Sequence, residues 1–229
     1  MSSRRLKRKI IALCLAVARS KKLVLVRHGL SEMNVALSRQ PWGSRNFKDP
    51  NIRDAPLTAE GRRQAQRARH RVSTYDVDLI VSSPLTRALE TMELAFCDHR
   101  ALRVACSYAA ERVYLSSDLG TPRAQLEKRW ADVDFSELAH QDWWWTPKDL
   151  TAPDWRPTGH YPYPGEPDAD FHDRMKRLLR WIHDRPEQAI ALVCHWGVID
   201  ALTGLDFDNC EVRELDPRSF SLNSSGLVI

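Results

Sequence analysis

"KKLVLVRHGLSEMN" (residues 21–34) carries four apolar residues, Leu23 to Val26, straight into Arg27, His28 and Gly29. Four branched apolar side chains in a row, with no polar alternation, describe a strand covered on both faces, as at the centre of a parallel sheet. Packing gives no reason for a cation and an imidazole at the tip of such a strand. Function gives one: in open α/β sheets, ligands bind at the carboxyl ends of the strands.

Outward from this stretch the pattern repeats. "DLIVSS" (78–83), "LRVACS" (102–107), "AIALVC" (189–194) and "CEVREL" (210–215) read as further strands. Between the first two lies "PLTAEGRRQAQRARHRVSTY" (56–75), where Thr58 can N-cap a helix of about four turns. "SPLTRALETMELAF" (83–96) offers Ser83 as a cap and Pro84 at the first helical position. "DADFHDRMKRLLRWIHDR" (168–185) aligns Phe171, Met175, Leu178, Leu179 and Ile182 on one face and ends before Pro186. This alternation predicts a three-layer α/β/α sandwich around a mostly parallel sheet. Residues 39–57 and 107–167 break the rhythm, and the second stretch holds five of the eight tryptophans. Long irregular segments of this kind are expected to act as lids or binding loops.

Three of the predicted strands end in polar groups: Arg27-His28-Gly29, Ser82-Ser83-Pro84 followed by Arg87, and His195-Trp196-Gly197. If these strands are neighbours, two histidines and two arginines converge on one pocket. Arg87 would lie in the first turn of a helix whose free N–H groups also favour an anion. Guanidinium forks bind phosphoryl oxygens bidentately and keep their charge, so the pocket suits a phosphoryl dianion.

Charge is distributed unevenly. Residues 1–22 carry eight Lys/Arg and no acid, which leaves 26 basic and 30 acidic residues in the rest of the chain. A mildly acidic body argues against a nucleic-acid-binding surface. Residues 1–21 read either as a targeting segment or as a helix capping the domain, and the run Ile10–Ala18 is too short to span a bilayer. Cysteines 14, 97, 106, 194 and 210 form no C-x-x-C pair and no metal-ligand spacing, a pattern expected of a reducing compartment, cytoplasmic or organellar.

"RHG…S…N", "PLTxxGxxQA", "SSPLTRALET" and "CHWG", in this order, resemble the histidine phosphatase superfamily, also called phosphoglycerate-mutase-like, over most of residues 22–215. The resemblance implies one histidine phosphatase domain from residue 22 onward, with a lid insert at about 107–167. It implies that His28 is a nucleophile forming a phosphohistidine, while Arg27, Arg87 and His195 neutralise the phosphoryl oxygens and Asn34 adds a hydrogen bond. Neither a cofactor nor a metal is then required, because guanidinium and imidazolium take the place of Mg²⁺. A carboxylic acid must protonate the leaving group; Glu111 is the best match and Asp118 its nearby competitor.

Two departures bear on the substrate. Many members read "RHGE" or "RHGQ" where this chain has Leu30, and the insert lacks the paired arginines and lysine of a phosphoglycerate mutase. Hydrolysis of a small phosphomonoester is therefore the expected activity. A mutase and a non-catalytic phospholigand module are the alternatives. Two C-x5-R matches, Cys97…Arg103 and Cys106…Arg112, lack the glycines of a phosphate cradle and read as coincidence. Histidines 70, 99, 140, 160, 172 and 183 read as surface or satisfied side chains.

Overall fold

The computed structural model describes residues 21–40, 47–140, 142–146 and 165–216. Residues 1–20 of the N-terminal segment, together with Arg45, Trp155 and His160, lie outside the described residues. Five strands, β1 (Lys22–Arg27), β2 (Leu79–Ser82), β3 (Leu102–Ala105), β4 (Ala189–Cys194) and β5 (Val212–Leu215), form one sheet in the order β3-β2-β4-β1-β5. The first four are mutually parallel, and β5 closes the edge antiparallel to β1.

Among the described residues, six α-helices accompany the sheet: α1 (Glu32–Arg39), α2 (Ala59–Val72), α3 (Thr86–Ala95), α4 (Arg123–Arg129), α5 (Asp168–Asp184) and α6 (Trp196–Thr203). Alternate residues of β1 feed two separate cores, as the two-residue period of a strand requires. Val24 and Val26 pack with Leu85, Leu89 and Met92 beside α2 and α3. Leu23 and Leu25 pack with Met175, Leu178 and Ile182 of α5 and Val198 and Leu202 of α6. These are the three layers that the sequence pattern predicts.

Local chemistry sets the helix starts. Ser31 and Asn34 form a reciprocal capping box on α1, and Thr58 Oγ1 accepts the Gly61 N–H at 2.9 Å on α2. Gly61 is required there, since a Cβ would stand 2.1 Å from the Leu30 carbonyl oxygen. α3 differs from expectation: it begins at Thr86, and Ser83 and Pro84 precede it. The Ser83 N–H is still held by the sheet through the Val193 carbonyl, so the chain turns into the helix only after Leu85. Leu85 offers no side-chain cap, and buried Asp54 replaces one by accepting from Thr86 N (2.7 Å) and Thr86 Oγ1 (2.8 Å).

The described parts of the irregular stretches are packed. Phe47, Ala55 and Leu57 are buried, and Trp143 and Trp144 join the core beside α3. Trp143 and Trp144 do not line the cavity described below, although the Trp-rich stretch reads from sequence as its cover. Arg53 is engaged by the Gly120 carbonyl and the Trp144 ring.

Candidate active site

β1, β4 and β2 are adjacent and in register, with Arg27 beside Cys194 and Ser82 beside Val193. His28, His195 and Ser83 therefore leave three neighbouring strand ends side by side. Each backbone stays tied to the sheet: His28 N donates to the Cys194 carbonyl at 3.0 Å and Ser83 N to the Val193 carbonyl at 2.9 Å. The two imidazole rings lie 5.0 Å apart, and both are buried.

His28 Nδ1 lies 2.7 Å from the Gly29 carbonyl oxygen, which can only accept. The ring proton is thus assigned to Nδ1, and Nε2 keeps its lone pair. Burial first, and then the Arg87 charge, hold His28 well below the usual histidine range, so the ring is neutral. His195 is held down in the same way, by burial and then by Arg87. Its Nε2 lies 2.7 Å from Ser83 Oγ, which already accepts the Leu85 N–H, so the Ser83 hydroxyl proton is free to donate to His195. That assignment leaves the His195 proton on Nδ1, a buried atom with no partner among the described residues. Arg27 Nε is orphaned in the same sense, and its Nη1 is fixed by the Phe207 carbonyl. Buried polar atoms without partners are rare, and two of the four found among the described residues lie at this site.

Arg87 reaches the site from the first turn of α3. Its Nη1 donates to the Ser117 carbonyl (2.7 Å) and its Nη2 to Asp118 Oδ1 (3.0 Å). The other oxygen of Asp118 accepts from Tyr114 N (3.1 Å) and Leu115 N (2.9 Å). Both Asp118 oxygens are therefore engaged, and Asp118 serves to aim Arg87. Glu111 differs. It accepts from Arg112 N at 2.9 Å and from Gly197 N, in the first turn of α6, at 3.2 Å. Burial and then the Asp118 charge push its carboxyl up. Gly197 makes this approach possible, since a Cβ there would stand 2.5 Å from Glu111 Oε1.

A cavity of about 540 Å³ joins these groups: Arg27, His28, Asn34, Arg87 and Glu111 all line it, and His195 lies buried against His28. Asn34 Oδ1 is held by Ser31 N and Oγ in the capping box, which leaves its Nδ2 donors to face a ligand. Leu30 does not line the cavity; its N–H donates to Gln64 Oε1 and its carbonyl accepts from Thr58. His172 does line it, contrary to its reading as an ordinary surface side chain. Cys106 is buried and its thiol is pushed up to about 12, which removes it as a nucleophile.

Sequence reading missed the supporting shell. Glu166, 1 % exposed, accepts from Arg174 Nε (2.8 Å) and Nη2 (2.6 Å). Arg174 also donates to the carbonyls of Tyr108, Ala110 and Glu111 and so pins the segment that carries Glu111. Thr91 Oγ1 accepts from Gly29 N and donates to the Arg87 carbonyl, linking the β1 tip to α3. A signal for Glu166 existed in "GEP" at 165–167, but Arg174 offered none within its helical pattern.

The family model of the histidine phosphatase superfamily (branch 1) matches residues 23–224. A protein of Proteus mirabilis named "Probable phosphoglycerate mutase GpmB" is 30 % identical over 221 residues, covering 91 % of this chain and 90 % of its own. The glucosyl-3-phosphoglycerate phosphatase of Mycobacterium tuberculosis is 28 % identical over 194 residues, covering 81 % of this chain and 74 % of its own. Among solved structures, the alpha-ribazole phosphatase of Shigella flexneri superposes with a TM-score of 0.54 at 22 % identity, covering 85 % of this chain and 90 % of that one.

Proposed function

Because this chain belongs to the histidine phosphatase superfamily, we propose that it hydrolyses small phosphomonoesters through a phosphohistidine on His28. The observation that carries this reading is the His28 ring itself: neutral, with Nδ1 donating to the Gly29 carbonyl and Nε2 free to attack.

In the first half-reaction Nε2 forms a bond to phosphorus as the bond from phosphorus to the ester oxygen breaks. Arg27, Arg87 and His195 Nδ1–H stabilise the charge spread over the phosphoryl oxygens in flight, with Asn34 as a further donor. Glu111, protonated more readily than an ordinary glutamic acid, gives its proton to the departing alkoxide. In the second half-reaction Glu111, now a carboxylate, takes a proton from water. The water oxygen attacks phosphorus, the P–N bond breaks, and inorganic phosphate leaves. Two moderate barriers replace one high one.

Hydrolysis is favoured over mutase chemistry by the rest of the cavity. Among its described lining residues, Arg112 is the one arginine or lysine outside the phosphoryl clamp, and it is ion-paired with Asp168. A sugar acid's carboxylate would meet no unpaired guanidinium there.

The test is hydrolysis of 4-nitrophenyl phosphate in chelator by the wild type and His28→Ala. Chelator-resistant turnover lost in the variant supports the reading. Turnover that survives the substitution refutes His28 as nucleophile.

A further inference from the structure

From the Glu111 carboxyl, the cavity runs along one face of α6. Gly197 N holds Glu111 at the start of this helix. Trp196 and Asp200, four residues apart, share the face that lines the cavity, together with Phe171 of α5. Trp196 is 45 % exposed although its ring is large and apolar, and its Nε1 is tied to Asp206 Oδ1 at 2.7 Å, which fixes the ring. The Asp200 carboxylate has neither a hydrogen-bond nor an ion-pair partner among the described residues. Burial, and then the Asp206 charge, push it up, as expected of a carboxylate without a compensating cation.

The other charged groups facing this end of the cavity do not neutralise it. Arg112 is tied to Asp168, donates from Nε to the Glu166 carbonyl at 2.8 Å, and stacks on the Tyr114 and Phe171 rings. Arg27 is turned to the Phe207 carbonyl. Away from the phosphoryl clamp, two carboxylates, Asp168 and Asp200, face one guanidinium and His172. An aromatic ring fixed beside an uncompensated carboxylate is the chemistry that receives an ammonium group: the ring face attracts the cation and the carboxylate pairs with it.

We propose that Asp200 and Trp196 form a subsite for the alcohol part of the substrate, selecting phosphomonoesters whose alcohol bears an ammonium group on an apolar body over esters of hydroxy acids. This deepens the phosphatase reading and rests on it. The same carboxylate that pairs with an ammonium group repels a carboxylate, so one residue produces both halves of the selectivity.

Three benzyl phosphates test the subsite: unsubstituted, para-aminomethyl and para-carboxylate. Their leaving alcohols are close in acidity, so chemistry varies little while charge is reversed. The wild type is expected to prefer the aminomethyl ester over the carboxylate ester by at least about 30-fold in kcat/KM, the range of hydrogen bonds to charged partners. In Asp200→Asn that ratio is expected to fall to within about threefold of unity, and the unsubstituted ester reports that the variant is folded. Equal rates for the two charged esters in the wild type, or a ratio unchanged in Asp200→Asn, overturn the subsite and leave the phosphatase reading standing. No chelator-resistant hydrolysis of any of the three esters overturns both.

Discussion

Replacing Arg174 with methionine keeps the apolar stem of the side chain and removes the guanidinium and its charge. Among the described residues, Glu166, 1 % exposed, would then keep only the Val113 N–H, at 3.4 Å. Breaking one side of a buried ion pair costs roughly 3–5 kcal/mol. A second route gives the same size. The stranded carboxyl can escape its charge by taking up a proton, which at pH 7 costs an ordinary glutamic acid about 3.7 kcal/mol. The carbonyls of Tyr108, Ala110 and Glu111 lose a donor as well. For a chain of this size each kcal/mol lowers Tm by about 2–4 °C, so a fall of roughly 8–15 °C is expected at pH 7. Because the proton is more available in acid, the fall should be smaller at pH 5. Glu166→Gln should cost less, since Arg174 retains three carbonyl acceptors, and the double variant should recover part of the loss. Thermal melts by circular dichroism at both pH values measure all of this. A fall below about 3 °C for Arg174→Met, or a larger one at pH 5 than at pH 7, would refute the reasoning.

Glu111→Gln should lower kcat on an alkyl phosphate about 100-fold or more and leave 2,4-dinitrophenyl phosphate much less affected, because a good leaving group needs no proton. It should also remove the alkaline limb of the alkyl-phosphate profile, which in the wild type should lie above the ordinary carboxylate range. Gly197→Ala, whose new Cβ would stand 2.5 Å from Glu111 Oε1, should show the same leaving-group selectivity in weaker form, read as kcat on the two esters. His195 is held well below the usual histidine range, so the unfolded chain takes up its proton first as pH falls below about 6.5, and stability drops. His195→Gln should flatten the slope of unfolding free energy between pH 6 and 5 by about 1.4 kcal/mol per pH unit, measured by urea denaturation. An unchanged slope would mean that His195 is not buried neutral.

The strands were legible because their signal is local. Val24 and Val26 against Leu23 and Leu25 encode two cores in four residues, and each strand-end motif follows directly on its apolar run. The cap of α3 was not legible. Ser83 has the right chemistry for a cap, but the sheet holds its backbone and the site takes its hydroxyl, while the real cap, Asp54, comes from 32 residues earlier. The resemblance prefers Glu111 to Asp118, which lies further from the strand end. What the sequence does not carry is that both Asp118 oxygens are held by Arg87, Tyr114 and Leu115, an observation that supports the same choice. The Glu166–Arg174 pair and the Asp200–Trp196 face depend on which helix packs over which loop, and a single-chain pattern carries no such information.

The central claim is the covalent intermediate, and rapid acid-free quenching of a turnover with ³²P-labelled substrate tests it most directly. The account predicts label on the peptide that contains His28, stable to alkali, released by acid, and absent in His28→Ala. Label on any other residue, or turnover with water attacking the ester in a single displacement that inverts a chiral phosphoryl group, would contradict it.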